Sequence, residues 1–201
     1  AIKAFQVAMG LAPDGHAGPV TRAALFPDET PENTDPTAPV GQPSEGRGFP
    51  RQSDCMGHYG AVGLFQKRLS LPFAMKLSWD RGVTVRAISV HEKVHDSAAR
   101  VFARIAKRYD AAQRRDMGLD LFGGSLNVRR MRGGSSYSMH SWGIAIDFDP
   151  DRNQLNWGRD RARLAQPDAE DFWRFWEDEG WVSLGRARNF DWMHVQAARL
   201  G

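Results

Sequence analysis

Residues 27–50 are built largely of Pro, Gly, Thr, Ser, Glu and Asp, with almost no large apolar side chain. Such a stretch cannot bury enough surface to offset the entropy of ordering it, so it predicts a linker. That break limits what the 201 residues can fold into: a short unit at 1–26 and one well-buried domain at 51–201. In the first unit Ile2, Phe5, Val7, Met9 and Leu11 supply apolar surface. Pro13-Asp14-Gly15 makes a turn, and 19–25 reads as a short helix with Pro19 near its start.

The larger part mixes both periodicities. Residues 83–89 form a β-branched strand candidate. Residues 91–109 carry Val94, Ala98, Val101, Phe102 and Ile105 at helical spacing, an amphipathic helix of about five turns. Residues 143–148 alternate, with Ile144, Ile146 and Phe148 on one face and Ala145, Asp147 and Asp149 on the other. That is a half-buried strand presenting Asp147 to a cleft. Residues 168–180 read as an aromatic-rich helix stopped by Gly180, and 192–195 as a final strand. Without a regular βαβ rhythm these elements predict an α+β fold: a small antiparallel sheet with flanking helices, plus a short helical N-terminal unit.

The bulk properties exclude several classes. A net charge of +3 and one short basic run, Arg129-Arg130-Met131-Arg132, do not make a nucleic-acid patch. Cys55 is the single cysteine, so neither an intrachain disulfide nor a thiolate zinc cluster can form. No apolar run approaches the roughly 18–20 residues of a membrane span. The chain opens at Ala1-Ile2-Lys3 inside what reads as a helix, with no signal peptide visible, and is expected to be a processed or truncated piece.

Chemistry concentrates in two segments, Ser138-Met139-His140-Ser141-Trp142-Gly143-Ile144-Ala145-Ile146-Asp147 and Asp191-Trp192-Met193-His194. Together they offer His140, Asp147 and His194 as metal ligands, with Asp191 three residues before the last histidine. Three N/O ligands, an open position for water and a nearby acid/base group are what a hydrolytic zinc site needs. Asp147 on an otherwise apolar strand is costly to bury unpaired, and a cation offsets that cost. Trp192 and Met193 would form a dry surround for such a site.

A competing motif is His91-Glu92-Lys93-Val94-His95, which fits H-E-x-x-H. Lys93 and Asp96 charge a helix that is largely uncharged in zincins, and no third-ligand continuation follows. His91 and His95 are therefore expected to flank the apolar stripe of an ordinary helix.

The stretch 129–149 with the Asp191–His194 element resembles the M15 family (VanY and endolysin type) of zinc D-Ala-D-Ala carboxypeptidases and L-Ala-D-Glu endopeptidases. Its S-x-H-x-x-G-x-A-x-D pattern is met at Ser138, His140, Gly143, Ala145 and Asp147, and its E/D-x-x-H pattern at Asp191 and His194. The resemblance implies Zn2+ held by His140, Asp147 and His194, with Asp191 as general base in the turn before the last strand. It also implies an arginine that polarises the scissile carbonyl, Arg129 first and Arg130 second. Ser138, Arg130 and Trp192 are the expected substrate contacts. The implied substrate is the stem peptide of bacterial peptidoglycan.

Residues 10–25 are similar to the second half of a three-helix peptidoglycan-binding domain, whose D-G-x-x-G-x-x-T-x-x-A-L pattern stands at Asp14, Gly15, Gly18, Thr21, Ala24 and Leu25. A wall-binding unit on a linker implies an endolysin-type endopeptidase, acting as a monomer on the wall and released by a phage at lysis. A terminal carboxypeptidase and a non-catalytic, metal-stabilised wall binder are the alternatives.

Overall fold

The computed structural model describes residues 48–201 apart from 132, together with Lys3 and Gln6. The unit expected at 1–26 and nearly all of the linker at 27–50 lie outside the described residues. The chain divides into two units, Ala1–Gln42 and Pro43–Gly201. In the first, Lys3 and Gln6 are helical. Among its described residues the second holds five α-helices and one six-stranded sheet.

The helices are α1 (Cys55–Tyr59), α2 (Glu92–Arg108), α3 (Ala111–Met117), α4 (Glu170–Asp178) and α5 (Leu184–Arg188). The strands are β1 (Gln66–Leu77), β2 (Thr84–His91), β3 (Leu121–Gly124), β4 (Ala145–Phe148), β5 (Val182–Ser183) and β6 (His194–Gln196), in the order β2-β1-β3-β4-β6-β5. Every pairing is antiparallel except β1 with β3. The fold is α+β, with one parallel pair in the expected antiparallel sheet.

Helix α2 forms where the spacing predicts it, and buries Val94, Ala98, Val101, Phe102 and Ile105. Its start differs: His91 is the N-cap, and its ring accepts from the Lys93 amide. Glu92 in the first turn and Lys107 and Arg108 in the last suit the helix dipole. On its outer face Arg100, Arg104 and Arg108 pair with Glu179, Asp178 and Asp171 at 2.7, 2.7 and 2.6 Å, fastening α2 to α4 and the turn after it. Between them Phe102, Phe148, Phe172 and Trp176 meet edge-on or tilted, with centroids 5.0–6.4 Å apart. Each such buried ring contributes about 1.5–3 kcal/mol.

Three boundaries shift from the sequence reading. The helix predicted at 168–180 begins as a 3-10 turn at Pro167–Ala169, with Pro167 in its first turn, before α4 takes over. The strand predicted at 192–195 starts at His194, because Asp191 adopts φ +56° and bends Trp192 and Met193 into a turn. The 143–148 strand begins at Ala145, since Gly143 at φ +68° ends a 3-10 helix over Met139–Trp142. That left-handed glycine matters. A Cβ there would lie 2.3 Å from Gln66 Oε1, while Gln66 Nε2 holds the Trp142 carbonyl at 2.9 Å. The chain thus reverses abruptly, carrying His140 and Asp147 to one place.

Candidate metal centre

Strands β4 and β6 pair Asp147 directly opposite His194. Opposed residues of an antiparallel pair share a face, so their side chains meet. His140 arrives from the 3-10 helix before β4. One ligand atom from each of His140, Asp147 and His194 lies within 4.8 Å of the others. His194 Nδ1 is 2.9 Å from Asp147 Oδ1, His140 Nε2 is 3.2 Å from Asp147 Oδ2, and the two imidazole nitrogens are 3.3 Å apart. Strand β3 makes room at Gly123, where a Cβ would stand 2.9 Å from that of Asp147.

The ring partners fix which nitrogens face inward. His140 Nδ1 lies 2.9 Å from the Ser125 carbonyl, an acceptor only, so that nitrogen carries the proton and Nε2 is left as a lone pair. His194 Nε2 lies 3.2 Å from Gln196 Oε1. The Gln196 amide is oriented by its own Nε2, which donates to the Ala198 carbonyl at 2.8 Å, and Gln52 Nε2 donates to the same Oε1 at 3.2 Å. His194 therefore presents Nδ1 as its second lone pair. Two imidazole lone pairs and a carboxylate converge with no donor among them, an arrangement that a cation satisfies. The donor set and its partners fit a zinc ion.

Without a cation the same three groups lean on one another through protons instead. Burial works against an ionised Asp147, but the imidazoles of His140 and His194 outweigh it and hold the carboxyl below the usual range. Burial likewise opposes a charged His194, and the Asp147 contact reverses that, raising its proton affinity. Asp191 behaves differently. Its carboxyl is pushed up to about 6, chiefly by burial, against the opposing field of His194. Among the described residues its Oδ1 is buried without a hydrogen-bond partner. Its backbone is anchored, the amide donating to the Leu155 carbonyl at 2.9 Å.

The arginines part company. Arg130 is pinned in a local hairpin, paired with Tyr137, its guanidinium 3.7 Å over that ring and donating to the Ser135 carbonyl at 2.5 Å. The Arg129 amide takes Ser141 Oγ at 3.0 Å, and Ser141 Oγ donates back to the Arg129 carbonyl at 2.8 Å. Arg129 is thus tied beside His140, and its charge reaches Asp191. Ser138 is buried, its amide on the Arg129 carbonyl at 3.0 Å.

The Trp192 ring packs on Trp173 and directly over Gly185, with its N–H on Asn189. His91 and His95 stay apart from the centre. His91 is held between the Tyr59 carbonyl and the Lys93 amide, and His95 between Asp96 and the Arg68 carbonyl. The Cys55 thiol is buried and pushed up to about 12 by that burial, so it is inert at neutral pH.

Ser125, Ser141, Gln52 and Gln196 escaped the sequence reading. Gln196 alone carried a usable signal: two residues after His194 on a strand, it had to share that histidine's face.

His140, Asp147 and His194 form a buried group in an α+β fold that could hold a metal ion, with the Asp191 carboxyl beside it. Residues 132–197 match the M15 peptidase family model described as D-alanyl-D-alanine carboxypeptidase. The matched segment takes in His140, Asp147, Asp191 and His194 and leaves Arg129 and Arg130 outside. It supports an M15-family peptidase, a metallopeptidase acting on peptidoglycan. No curated protein and no solved structure matches the chain. No described helix is long and apolar enough to cross a membrane.

Proposed function

We propose that this chain is a zinc peptidase that hydrolyses the L-Ala-D-Glu bond of peptidoglycan stem peptides, an endolysin-type endopeptidase working as a monomer on the bacterial wall and reaching it at phage-induced lysis. The observation that carries the peptidase reading is the convergence of His140 Nε2, His194 Nδ1 and the Asp147 carboxylate beside the unpartnered carboxylate of Asp191.

A zinc ion held by His140, Asp147 and His194 would supply Lewis acidity to water and to the scissile carbonyl. Asp191 takes the proton from the attacking water and hands it to the leaving amine. Its raised proton affinity suits both halves of that transfer, since the group ionises near neutrality. Arg129 offers positive charge to the carbonyl oxygen as it becomes an oxyanion. Arg130 and Ser138 are the proposed substrate contacts beside it.

The endopeptidase assignment rests on the wall-binding pattern at 10–25 and the linker after it. A second reading, removal of terminal D-Ala, has in its favour the carboxypeptidase description of the matching family model. A non-catalytic metal-stabilised binder gains nothing from a desolvated carboxylate at Asp191. The full chain, zinc-loaded, should be incubated with purified sacculi and with a stem pentapeptide. New D-Glu amino termini are expected. Free D-Ala alone would replace the endopeptidase with the carboxypeptidase, and no cleavage of either substrate would overturn the enzyme reading.

A further inference from the structure

An open depression of about 580 Å3 is walled by the loop after β4 and by Met193, the residue just before His194 in the chain. Its lining is mostly polar: Gln154 and Asn156 bring two primary amides, and Pro150, Leu155, Trp157 and Met193 supply the apolar side chains between them. The residues that shape it also hold the site. The Leu155 carbonyl accepts from the Asp191 amide at 2.9 Å, and the Met193 carbonyl accepts from the Phe148 amide at 2.9 Å, beside Asp147.

The loop is fixed from both ends. Asn153 donates to the Asp149 carbonyl at 2.9 Å and accepts from the Leu164 amide at 2.7 Å, while the Arg159 amide donates to Asn189 Oδ1 at 2.7 Å. A depression built this way is present before any ligand arrives, which lowers the ordering cost of binding.

Its one charged wall residue is Arg161, whose guanidinium lies 3.9 Å over the Trp157 ring. Arg81, Arg100, Arg104, Arg108, Arg152, Arg163 and Arg186 each hold a carboxylate. Among the described residues none is paired with Arg161. A guanidinium over an indole has N–H groups left for an incoming anion.

We propose that this depression is a substrate subsite flanking the scissile bond, in which Arg161, laid on Trp157, holds a free carboxylate of the bound peptide. The inference rests on the peptidase reading above. It makes Arg161 a specificity residue: an extended peptide with a carboxylate beside the cut bond fits the cation, the two amides and the apolar side chains, and its carboxamide counterpart loses the ionic contact.

The test compares the full chain and its Arg161→Gln variant, zinc-loaded, on three synthetic stem pentapeptides: one with free carboxylates, one amidated at the D-Glu α-carboxyl, one amidated at the C-terminus. On the free peptide Arg161→Gln should raise KM about tenfold, the loss of one charge-assisted contact, with kcat changed less than about twofold. Against one of the two amidated peptides the substitution should have no further effect, which identifies the carboxylate bound. Arg161 is exposed, so an unchanged Tm is expected, and Arg161→Lys should fall between the two. Equal loss on all three peptides, or no loss on any, overturns the subsite while leaving the peptidase reading intact. A wild-type chain that cuts none of them overturns both.

Discussion

Asp191 and His194 close a single turn of chain, the His194 amide donating to the Asp191 carbonyl at 3.1 Å. In a regular strand residues three apart point to opposite faces. Here φ +56° at Asp191 folds the segment back, so its carboxylate stands in the field of His194, Asp147 and His140 together. The positive φ is one that Asp and Asn tolerate better than most residues.

Asp191→Asn should therefore keep the turn and the metal while losing activity by about 10²–10⁴-fold, the usual worth of a general base. It should also be more stable than the wild type at pH 8 in the metal-free state. An acid whose folded pKa is raised contributes stability that is full below its unfolded value and lost as pH rises through about 6. The amide never ionises and escapes that loss. Thermal unfolding at pH 4 and pH 8 checks this, and a variant less stable than wild type at pH 8 would contradict it.

Asp191 works as a base only when ionised, and a bound zinc ion would favour the ionised form, so the acid limb of kcat/KM should lie below the metal-free value of about 6 and approach tenfold per pH unit. The same acid limb in the residual activity of Asp191→Asn would remove Asp191 from the role.

Much of this was legible in the chain. The α2 stripe, the β4 alternation and the two ligand segments follow from periodicity and residue type. Strand β1 was overlooked although Leu69, Leu71, Phe73, Met75 and Leu77 alternate with Ser70, Pro72, Ala74 and Lys76, because Pro72 inside the run argues against a strand; it falls where the register with β2 breaks. The packing of the Trp192 ring on Gly185 and Trp173 was not legible, because those partners are remote in the chain. The Ser125 and Ser141 contacts are likewise long-range and leave no local pattern.

Gln196 should govern metal retention. Gln196→Leu removes the acceptor that keeps the His194 proton on Nε2, and zinc affinity should fall about 10–100-fold, measured by competition with a chelator. Excess zinc should restore most of the turnover, because Gln196 touches neither water nor substrate. Gln52→Ala, one bond further out, should cost less. Unchanged affinity in Gln196→Leu would show that Nδ1 is presented without its help.

Gly185→Ala tests the packing role of Trp192. The added Cβ would fall 2.3 Å from that ring, an overpacking worth about 1–3 kcal/mol of stability. Its displacement would pull on Asp191 next door, so the Tm and kcat should drop together. A variant as stable and as active as wild type would mean the ring moves freely.

The metal content of the full chain after dialysis against trace zinc bears on the centre itself. The wild type should hold about one zinc per chain. His140→Ala, Asp147→Ala and His194→Ala should each hold close to none, since two remaining ligands cannot sustain a tetrahedral site, and His91→Ala and His95→Ala should match the wild type. Zinc retained by the first three variants, or lost from the last two, would contradict the assignment of the centre to His140, Asp147 and His194.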